Sequence, residues 1–214
     1  SEHFGRKIER HLRANYPTLM FDTLAFEIDE KGNPYWIAPV YNYKIGLFGG
    51  KDITGAVLVN AINGDHEYYD IDKVPEWVDR AYPAELVLSQ LENYGKYTNG
   101  YFNTLFSQKG VLQPTSGYNY VAINDDVYLY TGLTSVSNDA SNVGFAMINL
   151  RTKDGKYYNI SGAEEYSAMS SAEGQVQNLK YTATFPILIN AGGQPTYFLS
   201  LKDDAKLVNK YAFV

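Results

Sequence analysis

Gly55 to Ile71 reads GAVLVNAINGDHEYYDI, and Gly144 to Ile160 reads GFAMINLRTKDGKYYNI. Laid over each other without a gap, they pair Gly with Gly, Asn60 with Asn149, Asp65 with Asp154, Tyr68-Tyr69 with Tyr157-Tyr158 and Ile71 with Ile160. Each stretch opens on an apolar run, turns through polar residues carrying Gly64 or Gly155, and continues in a short Tyr-Tyr run. That pattern predicts a β-hairpin in both places, and an ungapped match within one chain predicts a repeated unit.

Working outward, Leu24 to Val40 (LAFEIDEKGNPYWIAPV) matches Phe185 to Leu201 (FPILINAGGQPTYFLSL) as an apolar strand, a turn ending Gly-Asn-Pro or Gly-Gln-Pro, and an aromatic strand. Glycine supplies turn conformations that other residues resist, and proline fixes φ beside them. Helical spacing marks Glu2 to Asn15, Ala84 to Tyr94 and Ala163 to Asn178. The expected class is therefore α+β, built from repeated units of one helix packed on antiparallel strands. Three units tile the chain: 1–75, then 76–160 with an aromatic-rich insertion, then 161–214. The third unit stops short of a final Tyr-Tyr hairpin, and with Ser1 at one end and Tyr211-Ala212-Phe213-Val214 at the other, both ends read as cut from something longer.

Composition narrows the function. With 24 acidic against 18 basic residues the net charge is -6 and the pI near 5.1, which opposes sequence-independent binding to nucleic acid or anionic lipid. Zero cysteines exclude disulfides, thiol nucleophiles and thiolate metal sites. No run reaches the ~18 apolar residues of a membrane span, so any membrane attachment is expected through segments outside this sequence. Twenty tyrosines stand against two tryptophans and ten phenylalanines. Tyrosine buries its ring while its hydroxyl stays hydrogen-bonded, which suits strands and wet binding surfaces.

The order helix, hairpin, strand, with the strand ending Val59-Asn60-Ala61-Ile62-Asn63-Gly64 before Tyr68-Tyr69-Asp70-Ile71, resembles the PepSY domain of bacterial extracytoplasmic proteins and peptidase propeptides. That family's usual turn is Asp-x-x-Thr-Gly. This chain has Asn60 for the Asp and Asn63 for the Thr, and its second copy has Lys153 at the Gly position. The resemblance implies an extracytoplasmic regulatory or inhibitory binding role and brings no catalytic residues with it.

No motif assembles a reactive centre. His3 and His11 are eight apart, too far for an i, i+4 metal pair, and His66 falls in a polar turn. Glu164, Glu165 and Glu173 are the carboxylates of a polysaccharide or cell-wall hydrolase, the alternative function. Yet Ser161 before Glu164 also fits a capping box, and Glu165 and Glu173 stand ~12 Å apart along a helix. The acidic clusters at 70–72, 124–126 and 137–142 lack the calcium-loop pattern. Neither a metal nor a cofactor is expected. The expected binding surface combines Tyr97, Tyr101, Phe102 and Tyr118 of the central segment with Ser167, Ser170 and Ser171 on the small-residue face of the third helix. The first reading is thus a non-catalytic, extracytoplasmic, membrane-attached binding or regulatory module whose partner is another protein or domain, or a cell-envelope polymer. A structural adaptor in a membrane complex is a further alternative.

Overall fold

The computed structural model describes residues 7–44, 50–97, 110–135 and 141–214. Among the described residues the fold is mostly antiparallel β, with strands at 47% and helices at 21%, in three sheets with three helices. Among the described residues no helix is long and apolar enough to cross a membrane.

The first sheet is centred on β3 (Pro34–Tyr43). β1 (Met20–Phe21) and β2 (Ala25–Ile28) pair with opposite ends of one of its edges, β4 (Lys51–Asn60) pairs with the other, and β5 (His66–Asp70) adds to β4. Helix α1 (Ile8–Asn15) lays Leu12, 1% exposed, on Ala38, Val40, Val57 and Val59. These four alternate along β3 and β4, because side chains of one face recur every second residue. The chain beyond β5 returns past β2, where the Glu27 carboxylate accepts hydrogen bonds from the backbone N–H groups of Asp79 and Arg80 and Trp77 packs on Tyr35.

The second sheet repeats that strand order around β8 (Asp126–Ser135). β6 (Leu112–Pro114) and β7 (Asn119–Ile123) share one edge, and β9 (Ser141–Asn149) followed by β10 (Gly155–Ala163) continues the other. It follows helix α2 (Ala84–Tyr97) in the chain. In the third sheet, β11 (Thr182–Ala183) and β12 (Ile187–Ala191) flank β13 (Gln194–Lys202) on one side and β14 (Val208–Phe213) on the other. Helix α3 (Glu165–Gln175) packs there through Ala172 against Ala183, Leu199 and Leu201.

The two sequence-matched hairpins share local detail. Asn60 and Asn149 each accept two backbone N–H bonds through Oδ1, from Ile62 and Asn63 and from Arg151 and Thr152. Gly64 takes φ +81°, and Lys153 takes φ +67° at the matching position. A side chain in that region is strained. Lys153 is held there by an ion pair with Asp52 at 2.8 Å. Gly55 and Gly144 are notches: a Cβ on Gly55 would lie 2.4 Å from the Tyr69 carbonyl, and one on Gly144 would lie 2.4 Å from the Tyr158 carbonyl, with the Tyr68 and Tyr157 rings folded over them.

The expected α+β class of repeated units, one helix packed on antiparallel strands in each, is corrected. Strands of nine or ten residues carry most of the core, while helices of 8, 14 and 11 residues contribute few buried side chains each. The described residues form two compact units, from 1–87, 124–127 and 149–154, and from 88–123, 128–148 and 155–214. The second and third sheets share the latter unit because their side chains interlock. Asn142 of β9 donates to the Tyr197 hydroxyl of β13 at 2.9 Å, Phe185 lies against Gly117 and Tyr130, and Glu165 rests on Gly132. Local periodicity carries no information about such contacts.

Candidate functional site

On the second sheet, α2 approaches β6 so closely that a Cβ on Gly95 would sit 2.2 Å from the Leu112 carbonyl oxygen. That approach makes a wall, and the twisted strands beside it make a floor. The resulting groove of about 480 Å³ is lined chiefly by Leu91, Tyr94, Leu112, Leu133, Ile148 and Tyr157. Tyr94 is 71% exposed at its lip. Tyr157 is fixed by its stacking over Gly144 and by donating its hydroxyl to the Val143 carbonyl at 3.2 Å. Lys156 is the one cation among the described lining residues, and no described residue forms an ion pair with it. An apolar, open trough with one cation suits burial of an apolar ligand surface.

The expected surface is distributed differently. Tyr97 ends α2 about half exposed, and Tyr118 is half-buried edge-on against Tyr120 at 5.6 Å. Tyr101 and Phe102 lie outside the described residues. Ser167, Ser170 and Ser171 are exposed on α3, while Ala168 and Ala172 form its buried side. Small residues on this helix therefore serve close packing on the third sheet.

The three carboxylates do not converge on one opening. Glu164 precedes the helix, and Glu173 accepts the Ala183 backbone N–H at 2.7 Å, fastening α3 to β11. Glu165 is 0% exposed, and neither carboxyl oxygen has a well-formed hydrogen bond. Burial pushes its pKa up from the usual carboxylate value, an effect damped by nearby Asn142 and Thr115. A neutral carboxyl donates one hydrogen and accepts at the other oxygen, which matches the unpartnered Asn142 Oδ1 and Thr115 hydroxyl beside it. The same desolvation, with Glu165 adding to it, pushes Tyr197 up to about 12 and Tyr130 higher still.

Sequence spacing missed one pairing. His11 of α1 and His66 of β5 meet with Nε2 and Nδ1 3.0 Å apart, 55 positions apart in the chain. His66 also faces the Gly64 carbonyl at 3.3 Å and the edge of Tyr16. Desolvation and the second imidazole hold the His11 pKa below its usual value. No group of three or more His, Cys, Asp or Glu is placed to hold a metal among the described residues.

No family model, no curated protein and no solved structure matches the chain.

Proposed function

We propose that this chain is a non-catalytic binding module of a larger extracytoplasmic, membrane-attached bacterial protein, PepSY-like in role, and that it holds the apolar part of its ligand in the groove beside α2. The groove carries the reading: an open apolar bed with one cation, and no nucleophile-and-base pair among its described lining residues. The cysteine-free composition agrees with service outside the cytoplasm. Tyrosine at the lip agrees with binding through large rings that lose little entropy on contact.

Gly155→Leu tests the site. A Cβ there meets only Ile148 Cγ1, at an ordinary 3.4 Å, so the added side chain fills the trough without disturbing the fold. Anilinonaphthalene sulfonate, an apolar anion, is expected to bind the wild type at one equivalent. Gly155→Leu should lose that binding at an unchanged Tm, and Lys156→Glu should weaken it. Undiminished binding to Gly155→Leu removes the groove from the proposal. Turnover of a glycan or peptide that Glu165→Gln abolishes removes its non-catalytic half.

A further inference from the structure

Helix α1 and the turn into β5 bring three donor atoms together. Leu12 sets the phase of the helix by packing on Val59, and Val59 stands opposite His66 across the β4–β5 ladder. His11, one residue before Leu12, is thereby placed at the start of β5, with its Nε2 3.0 Å from Nδ1 of His66. The turn supplies the third atom. Asn60 Oδ1 accepts the N–H groups of Ile62 and Asn63, Gly64 donates its own N–H to the Asn60 carbonyl at 2.9 Å, and Gly64 takes φ +81°. So held, the Gly64 carbonyl lies 3.3 Å from His66 Nδ1 and within hydrogen-bonding reach of the His11 ring. That ring lies over the turn, since a Cβ on Gly64 would come 3.7 Å from His11 Cε1.

A hydrogen bond between the rings accounts for the 3.0 Å contact by itself. Two imidazole nitrogens and a carbonyl oxygen at these separations also form one face of a coordination shell. Ligands 2.0–2.1 Å from a zinc-class ion, at angles between octahedral and tetrahedral, stand about 2.9–3.4 Å apart. Imidazole suits zinc, nickel and copper, whereas magnesium and calcium take oxygen ligands. His66 is exposed and His11 half-buried. With Ile62 and Asn63, His11 and Gly64 border a recess of about 590 Å³, which leaves room for water to complete the shell, and no lysine or arginine is among its described lining residues. Asp65 and Glu67 flank His66 in the chain, and no described residue forms an ion pair with either. Their charge favours a cation nearby.

We propose that His11 Nε2, His66 Nδ1 and the Gly64 carbonyl bind a divalent ion of the zinc, nickel and copper class, zinc foremost, with water in the remaining positions. Only two side chains ligate, and the third donor is backbone, so the site contains no group of three ligating side chains. Its nitrogen ligands come from elements 55 positions apart in the chain. The ion therefore clamps α1 to β5. Leu12 is the one buried side chain of that helix, so a second anchor matters there. The site shares no residue with the groove beside α2 and stands whether or not the groove binds.

The probe is Zn²⁺ alone, titrated into the metal-free, isotope-labelled chain at pH 7.5, where imidazole is neutral and able to ligate. One equivalent is expected by calorimetry, with amide shifts centred on His11, Gly64 and His66, and traces of Cu²⁺ should broaden the same signals. At free Zn²⁺ ten times the Kd, hydrogen-exchange protection of α1 should rise about tenfold. His11→Gln and His66→Gln keep a polar group at each position. Each should weaken binding by more than about tenfold, the least that loss of even an outer-shell partner costs, and each should abolish the gain in protection. No saturation below about 1 mM Zn²⁺ overturns the proposal. So does binding that survives either glutamine variant, or that follows His3, which lies outside the described residues, instead of the pair. Saturable binding at His11 and His66 that leaves α1 protection unchanged overturns the clamp.

Discussion

Gly132→Ala is the sharpest probe of how the second compact unit is held together. Gly132 is buried in the middle of β8, and a Cβ added there falls 2.0 Å from Oε1 of Glu165 and 2.7 Å from its Cδ and Oε2. Real contacts of that kind need well over 3 Å, so the carboxyl must move by more than an ångström. Glu165 is 0% exposed and begins α3, which leaves it nowhere to go without shifting the helix. Overpacking of a closed core costs about 1–3 kcal/mol, and this site belongs at the upper end. In a chain of this size ~3 kcal/mol lowers Tm by roughly 6–12 °C. The assay is a double-mutant cycle by urea and thermal denaturation over wild type, Gly132→Ala, Glu165→Ala and the pair. With the carboxyl removed, the added methyl enters vacated space, so its cost should fall nearly to zero and the coupling should reach about 2–3 kcal/mol. Additive effects within about 0.5 kcal/mol would refute the claim that Gly132 is glycine because Glu165 lies on it.

Burial raises the Glu165 pKa, so the folded state favours its neutral form; that stability is present below the usual carboxylate value and is lost as pH rises through the raised folded value. Glu165→Gln should therefore be more stable than wild type at pH 8, with the difference shrinking toward pH 4, by urea midpoint; a gain by wild type over that range would contradict the sign. Gly55→Ala and Gly144→Ala each drive a Cβ to 2.4 Å from a neighbouring backbone carbonyl and should cost about 1–3 kcal/mol, whereas Gly174→Ala, with nothing within 4 Å, should be neutral or stabilising by chemical denaturation. Leu12→Ala removes the only fully buried side chain of α1, and hydrogen exchange should show that helix opening first, with about 2–5 kcal/mol lost from its protection; unchanged protection would mean that the helix is anchored elsewhere.

Two hairpins were readable from the chain alone. Apolar alternation, the Asn60 and Asn149 turns and the paired tyrosines all act within 17 residues, and local propensity, turn chemistry and register agree there. The matched segments at 24–40 and 185–201 likewise form hairpins, with Pro34 and Pro195 at equivalent places in β3 and β13. Helix positions were approximately legible from 3.6-residue spacing. What spacing does not encode is how elements far apart in sequence share a core. Asn142 meets Tyr197, Glu165 meets Gly132 and His11 meets His66 across 55, 33 and 55 positions, and each contact depends on where whole sheets lie. Hence the class read from the sequence gave the helices too large a part, while Glu165 lies buried against Gly132, Glu173 fastens the third helix to β11, and Ser167, Ser170 and Ser171 lie on the solvent side of that helix. The groove follows the same logic, since Gly95 reads as a mere helix weakness until Leu112 is placed against it. Sequence determined the strands and their turns because those energies are local; the tertiary structure decided the groove and the buried acid because burial is a property of the assembled surface.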